Sequence, residues 1–421
     1  TRFRNVTGVQ TCALPIFAVI DDKSLQAYER QNMPWPWPRS VYAELVGYLN
    51  HHKAKAIVFD VLFATKDVYS IYFGEEENDN QFVDSIKSAE NVLLAMQLKE
   101  ENEPLNFPLE YIPQYSFPTS AIPKTTYTSA ILPPSSYQTA SHSLGVVNFI
   151  SDNDDVCRRL PLVFNYKNEL NFPHLGFATY LMSKGDSIQT TKKKHRIRVA
   201  DENIPLDNNG NFLLWWYGNG GMNQCFRYYS FYSIIQSSLQ EKRGQQPEIP
   251  EETFRGKYVI VGTNAPGLLD FRPTPFTRDE KYPGMEIYAT MLSNLLQKDF
   301  LRKGNVLVAI MLVLLFSFSV SYAMIWFSKI YKTILLTCGI AALWLLISFM
   351  LFSSFKLWLD IVPPLFALAL SFTISSSWSY SSEGKARRQL RKMFNRYVDA
   401  SVVKQLESNP DDVGLGGKET E

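Results

Sequence analysis

The sequence predicts an α/β protein: an exterior parallel-rich sheet with helices on both faces, a three-helix transmembrane anchor and a short cytoplasmic helix. Two observations carry this. Up to residue 302, short apolar runs alternate with amphipathic segments. Beyond it stand three long apolar runs, 305–327, 333–352 and 357–380, ahead of a basic tail over 383–421. A chain of 421 residues has room for such a division. Its 42 Lys and Arg nearly balance 41 Asp and Glu, so net charge points to no particular partner. No basic stripe interleaved with aromatics is present, which argues against nucleic-acid binding.

The exterior part, 17–302, reads as follows. FAVIDD (17–22) is an apolar run ending in two acids, a buried strand. MPWPWPRS (33–40) cannot be regular helix, because its prolines fix φ and hold each preceding residue extended. Over 39–52 helical spacing returns, with Val41, Leu45, Val46 and Leu49 on one face. AKAIVFDVLF (54–63) is a second buried strand carrying Asp60; 79–89 is a helix and 91–98 a third strand. Strand–helix–strand order implies a parallel sheet with helices on its faces. The stretch 103–141, rich in Pro, Ser, Thr and Tyr, is expected to be an irregular excursion. Then come two strands joined by an acidic turn (142–166), a helix (172–184), strands at 211–217 and 258–262, and a helix at 282–298.

The first two apolar runs carry no charge. At 1.5 Å per residue each reaches the about 30 Å of a hydrocarbon core. The third holds Asp360 near one end, a headgroup position, and the pair Pro363 and Pro364. Lys329 and Lys332 lie in the first joint, Lys356 alone in the second, and Lys385, Arg387, Arg388, Arg391 and Lys392 follow the third run. Cytoplasmic segments hold the excess of Lys and Arg. The first joint and the tail therefore face the cytoplasm, with 17–302 outside the membrane. Lys298, Arg302 and Lys303 oppose this, offset by Asp299. The bilayer is one expected partner. Cys157 and Cys225, both exterior, leave a disulfide open.

In open α/β sheets ligands bind beyond the carboxyl ends of strands. Those ends offer Asp21, Asp22, Asp60, and the loop 262–270 with Asn264 and Asp270, alongside Trp35, Trp37 and Arg39. These form the candidate surface for an unknown extracytoplasmic ligand. The competing reading makes the acids helix caps and the tryptophans a structural wedge. Asp152, Asn153, Asp154 and Asp155 match a calcium loop in composition only, lacking its spacing and terminal Glu. Neither GNGG (218–221) nor 416–418 completes a nucleotide motif, and the histidines show no metal-ligand spacing. No metal site and no catalytic set are expected in this chain.

Several blocks carry a resemblance. FAVIDDKSL, WPWPRSVYAELVGYL, KAIVFDVLF, YVIVGTNAPGLLDFRPTPF and YPGMEIYATMLSNLLQKDFL, in that order, resemble the CHASE type 2 domain. That is a bacterial extracytoplasmic sensor usually followed by three membrane helices. The tail FNRYVDASVVKQLESNPDDVGLGGKETE resembles the lead-in to class III adenylate or guanylate cyclases. Leu390, Met393, Phe394 and Tyr397 form a helical stripe ahead of it, suited to pairing with a second helix and to passing a signal. The resemblance implies a homodimer, and a cyclase, missing here, that would use ATP and a divalent metal. Residues 6–16 resemble a translated sequencing adapter, so 1–16 is expected to be an artefact and the chain a fragment that catalyses nothing alone. Three other readings stay open: a receptor with a histidine or Ser/Thr kinase output, an exterior enzyme using Asp21, Asp22 and Asp60, and a purely structural membrane protein.

Overall fold

The computed structural model describes residues 15–397, apart from 75, 112–116, 118–124, 185–195, 223, 266–270 and 328. Two compact units result, Thr1–Arg302 and Lys303–Glu421.

The first unit is built on a seven-stranded sheet. In chain order its strands are β1 (Ile16–Ile20), β2 (Ala56–Phe59), β3 (Val92–Lys99), β4 (Ser129–Ile131), β5 (Ser143–Val146), β6 (Arg227–Ser230) and β7 (Tyr258–Thr263). Across the sheet the order is β6-β1-β7-β2-β3, with both β4 and β5 on β3. Every pairing is parallel except that of β4, which adds antiparallel at Gln97–Lys99. β1, β2 and β7 are apolar at nearly every position because both faces are covered. Ala18, Ile20, Ile57, Phe59, Leu94 and Val261 pack toward α2 (Arg39–His51), α3 (Glu77–Ala89) and α5 (Phe231–Lys242), with Tyr28 of α1 (Asp22–Glu29). Phe17, Val19, Val58, Leu93 and Ile260 turn the other way, toward α4 (Leu175–Lys184) and α6 (Gly284–Gln297). α4 sits so close that a Cβ at Gly145 of β5 would fall 2.5 Å from the Leu175 Cα.

The structure departs from the sequence reading in several places. The excursion before residue 141 holds β4 and a short helix, Ser135–Ala140. The strand after His142 joins the main sheet as β5 rather than pairing with its successor. Phe172 and Pro173 belong to a strand, Leu170–Pro173, so α4 starts later than periodicity suggests. Helix α1, strand β6 and helix α5 carried no readable signal: RYYS is short and polar, and α5 is rich in serine. Cys157 and Cys225 are both free thiols, Cys157 buried in the core.

The second unit contains α7 (Val306–Trp326), α8 (Ile330–Phe355) and α9 (Val362–Tyr397). Phe316, Val320, Trp344 and Leu368 form the contact among them. Two of these helices, α7 with 21 residues and α8 with 26, are long and apolar enough to cross a membrane. They account for two of the three expected spans, and the third run does not meet the same measure of length and composition. The third run opens as a two-residue strand, Leu357–Trp358, and helix begins only at Val362. Ser371, Ser375, Ser376, Ser377 and Ser379 then dilute its apolar character. Lys303 Nζ lies 3.6 Å from Asp360, giving that carboxylate a partner.

Candidate functional site

β1, β7 and β2 are neighbours with Ile20 opposite Thr263 and Val261 opposite Phe59. Asp21, Asn264 and Asp60 therefore leave three adjacent strands at one edge, with strands about 4.8 Å apart. The Asn264 N–H donates to Ile20 O at 3.0 Å and the Asp60 N–H to Val261 O at 2.8 Å. Asp21 is occupied: its Oδ1 accepts from Ser24 N–H (2.9 Å), Ser24 Oγ (2.6 Å) and Ser230 Oγ (2.9 Å). It caps α1 and ties it to β6. Asp22 is exposed in the first turn of α1. Asp270 lies outside the described residues.

Trp37 is 1% exposed, its ring 4.4 Å from Tyr28 and 5.1 Å from Phe231. Half-buried Trp35 meets it edge-on at 5.1 Å across the cis Trp35–Pro36 bond. The structure thus places Trp37 in the core, as a wedge under the loop, and Trp35 above it. Arg39 is also buried. Its N–H donates to Asp67 Oδ2 (2.6 Å), Nη2 donates to Thr65 O (3.1 Å), and the guanidinium lies 4.7 Å over the Phe63 ring. Asp79 accepts from the Asp67 N–H at 3.1 Å and from the Tyr137 hydroxyl. Burial, then the bond to Asp79, drives the Tyr137 phenol far above its usual range. Asp67, Asp79 and Tyr137 went unseen as site residues because they meet Arg39 across long stretches of chain.

A second buried acid lies on the opposite face. Glu286, in the first turn of α6, accepts from Gly221 N–H at 2.5 Å and from the Tyr228 hydroxyl. Its Oε2 has no hydrogen-bond partner among the described residues. Burial raises its carboxyl to about 7, against the pull of those donors. The acidic turn is an ion-pair network instead of a cation loop: Arg158 meets Asp152 and Asp154, and Arg159 meets Asp152 and Asp207. Although sequence spacing offers no metal ligands, the fold brings His51, His52 and Glu241 together at the far edge of the sheet. On α9, Met393 is exposed, and Leu390, Phe394 and Tyr397 share its helix.

The CHASE2 domain family matches residues 3–323. The chain belongs to the CHASE2 family. No curated protein and no solved structure matches the chain. CHASE2 is an extracellular sensor domain of receptors. In this CHASE2 chain the match covers the whole sheet unit and most of α7. Sensor domain and first apolar helix are thus one family unit, consistent with a membrane protein.

Proposed function

We propose that this CHASE2 chain is the sensing and anchoring part of a bacterial transmembrane receptor whose output is a class III adenylate cyclase. The observation that carries it is α9, one unbroken 36-residue helix. It runs from the apolar Leu365, Phe366 and Leu368 through Lys385, Arg388 and Lys392 to Tyr397. At 1.5 Å per residue it is about 54 Å long. Such a rod can pass a displacement from within a bilayer to whatever follows it, and the segment that follows resembles a cyclase lead-in.

This reading gives α9 a third crossing. An exterior sensor and a basic interior tail need an odd number of spans. Its polar groups are suited to this: Ser377 Oγ donates to Thr373 O (2.9 Å), Thr373 Oγ1 to Ala369 O (2.9 Å), and the Ser375 and Ser321 hydroxyls lie 3.3 Å apart. Hydroxyls satisfied within and between helices are tolerated in lipid. Residues 17–302 then lie outside the inner membrane. The carboxyl edge around Asp60 and Asn264 takes the extracytoplasmic ligand, and two copies pair through the Leu390, Met393, Phe394 and Tyr397 stripe. ATP and divalent metal belong to the cyclase. A ligand that turns a rare state into the dominant one must discriminate by about 5.5 kcal/mol.

The test is to express the complete open reading frame of the gene in cells lacking adenylate cyclase and measure cAMP. Accumulation is expected. A folded, membrane-inserted product that makes none, or a kinase encoded beyond codon 421, would replace the output and keep the sensor.

A further inference from the structure

His51 closes α2 and His52 caps it, while Glu241 stands in the last turn of α5. Both helices cover the same face of the sheet. At their shared end, His52 Nε2 is 2.8 Å from Glu241 Oε2, and His51 Nε2 is 3.4 Å from Oε1. One ligand atom from each of the three residues lies within 4.8 Å of the others. Among the described ion pairs, Glu241 has those two imidazoles and no other partner. The adjacent Lys242 is taken by Glu44 at 2.6 Å.

We propose that His51, His52 and Glu241 bind a divalent transition metal ion of the zinc type. Two imidazoles and a carboxylate are the donor set that zinc, copper and nickel favour. Calcium and magnesium prefer six or more oxygens, which this corner does not present. Metal–nitrogen distances of about 2.0–2.1 Å place the ligand atoms of a tetrahedral ion about 3.3 Å apart. The two imidazole–carboxylate separations, 2.8 and 3.4 Å, are close to that. The required adjustment falls on His51, whose side chain is 73% exposed. His52, 7% exposed, is held edge-on to Tyr48 at 4.4 Å and supplies the fixed point. A surface groove of about 500 Å³ shares His51 and Glu241 with Ser40, Glu44, Tyr48 and Ser238. It leaves the remaining coordination positions to water or to a small exogenous ligand. The ion would pin the end of α2 to the end of α5, at the edge of the sheet away from Asp21 and Asp60. None of this depends on the identity of the output domain.

The experiment uses the full chain, untagged, in detergent micelles and stripped with chelator. It is titrated with Zn²⁺ by calorimetry and with Co²⁺ by visible absorption. One Zn²⁺ per chain is expected, together with cobalt bands that Zn²⁺ abolishes. His51→Ala and Glu241→Gln should each weaken binding by more than the about 10–100-fold that loss of an outer-shell partner costs. Both leave the core intact, which circular dichroism checks. His142→Gln, directly before β5 and outside this cluster, should bind as the parent does. Absence of stoichiometric uptake by folded protein overturns the proposal. So does an affinity unchanged in both variants, or a loss as large in His142→Gln.

Discussion

Glu286 shows how one buried group couples this sensor to pH. Folding lifts its carboxyl from an ordinary 4.5 to about 7, burial being the main cause. Between those values the folded chain holds a proton that the unfolded chain has released. The group's stabilisation is therefore complete below about pH 4.5 and is lost as pH rises through about 7. From pH 5 to pH 8 the loss amounts to about 2–3 kcal/mol. Glu286→Gln should flatten that slope, which denaturant unfolding of the full chain at the two pH values would measure. An equal slope in the variant would assign the effect to other groups. Tyr137 offers a second residue-level test. Its hydroxyl serves the buried Asp79 carboxylate. Tyr137→Phe should cost about 1–3 kcal/mol by leaving that acceptor short of a donor, read from the shift in unfolding midpoint.

Elements are placed here by close approach as much as by apolar area. α4 lies against β5 at Gly145, where a methyl group would overlap the Leu175 backbone and side chain. Helix backbone cannot yield as a flexible side chain can. Gly145→Ala should therefore destabilise the sheet unit by about 1–3 kcal/mol, seen as a lowered melting temperature. A melting temperature equal to that of the parent would mean that α4 is free to slide. The aromatic wedge does the same on the other face: Trp37, packed against Tyr28, Tyr42 and Phe231, spaces α1, α2 and α5.

At the scale of the whole molecule, two helices among the described residues have the length and composition to span a bilayer. Ala341 lies near the middle of α8. Ala341→Arg should cost about 2.5–3.5 kcal/mol of insertion free energy. A reporter active only outside the membrane, joined after Lys356, should then lose activity in the variant and keep it in the parent. Equal activity in both would place α8 at the surface or within protein. The third crossing proposed for α9 has its own readout. A reporter active only outside the membrane should be silent when joined after Lys392 and active when joined after Lys356.

Sequence alone determined the strands at 17–22, 54–63, 91–98 and 258–262, the helices at 39–52 and 79–89, and the first two apolar runs. Each carries a local pattern, continuous or periodic, that burial or a bilayer demands whatever the surroundings. The parallel arrangement followed from their order. Strand β6 escaped because RYYS holds its place through pairing with β1, not through its own apolarity. The carboxyl-edge acids were legible as a set, since strand ends converge in any such sheet. Only the tertiary structure decided their use: Asp21 is spent on a cap, Trp37 on the core, and Arg39 on a buried cluster with Asp67, Asp79 and Tyr137. It alone brought His51 and His52 to Glu241, and Glu286 to Tyr228 and Gly221. Those residues stand scores of positions apart in the chain, and no local pattern records a meeting that packing creates.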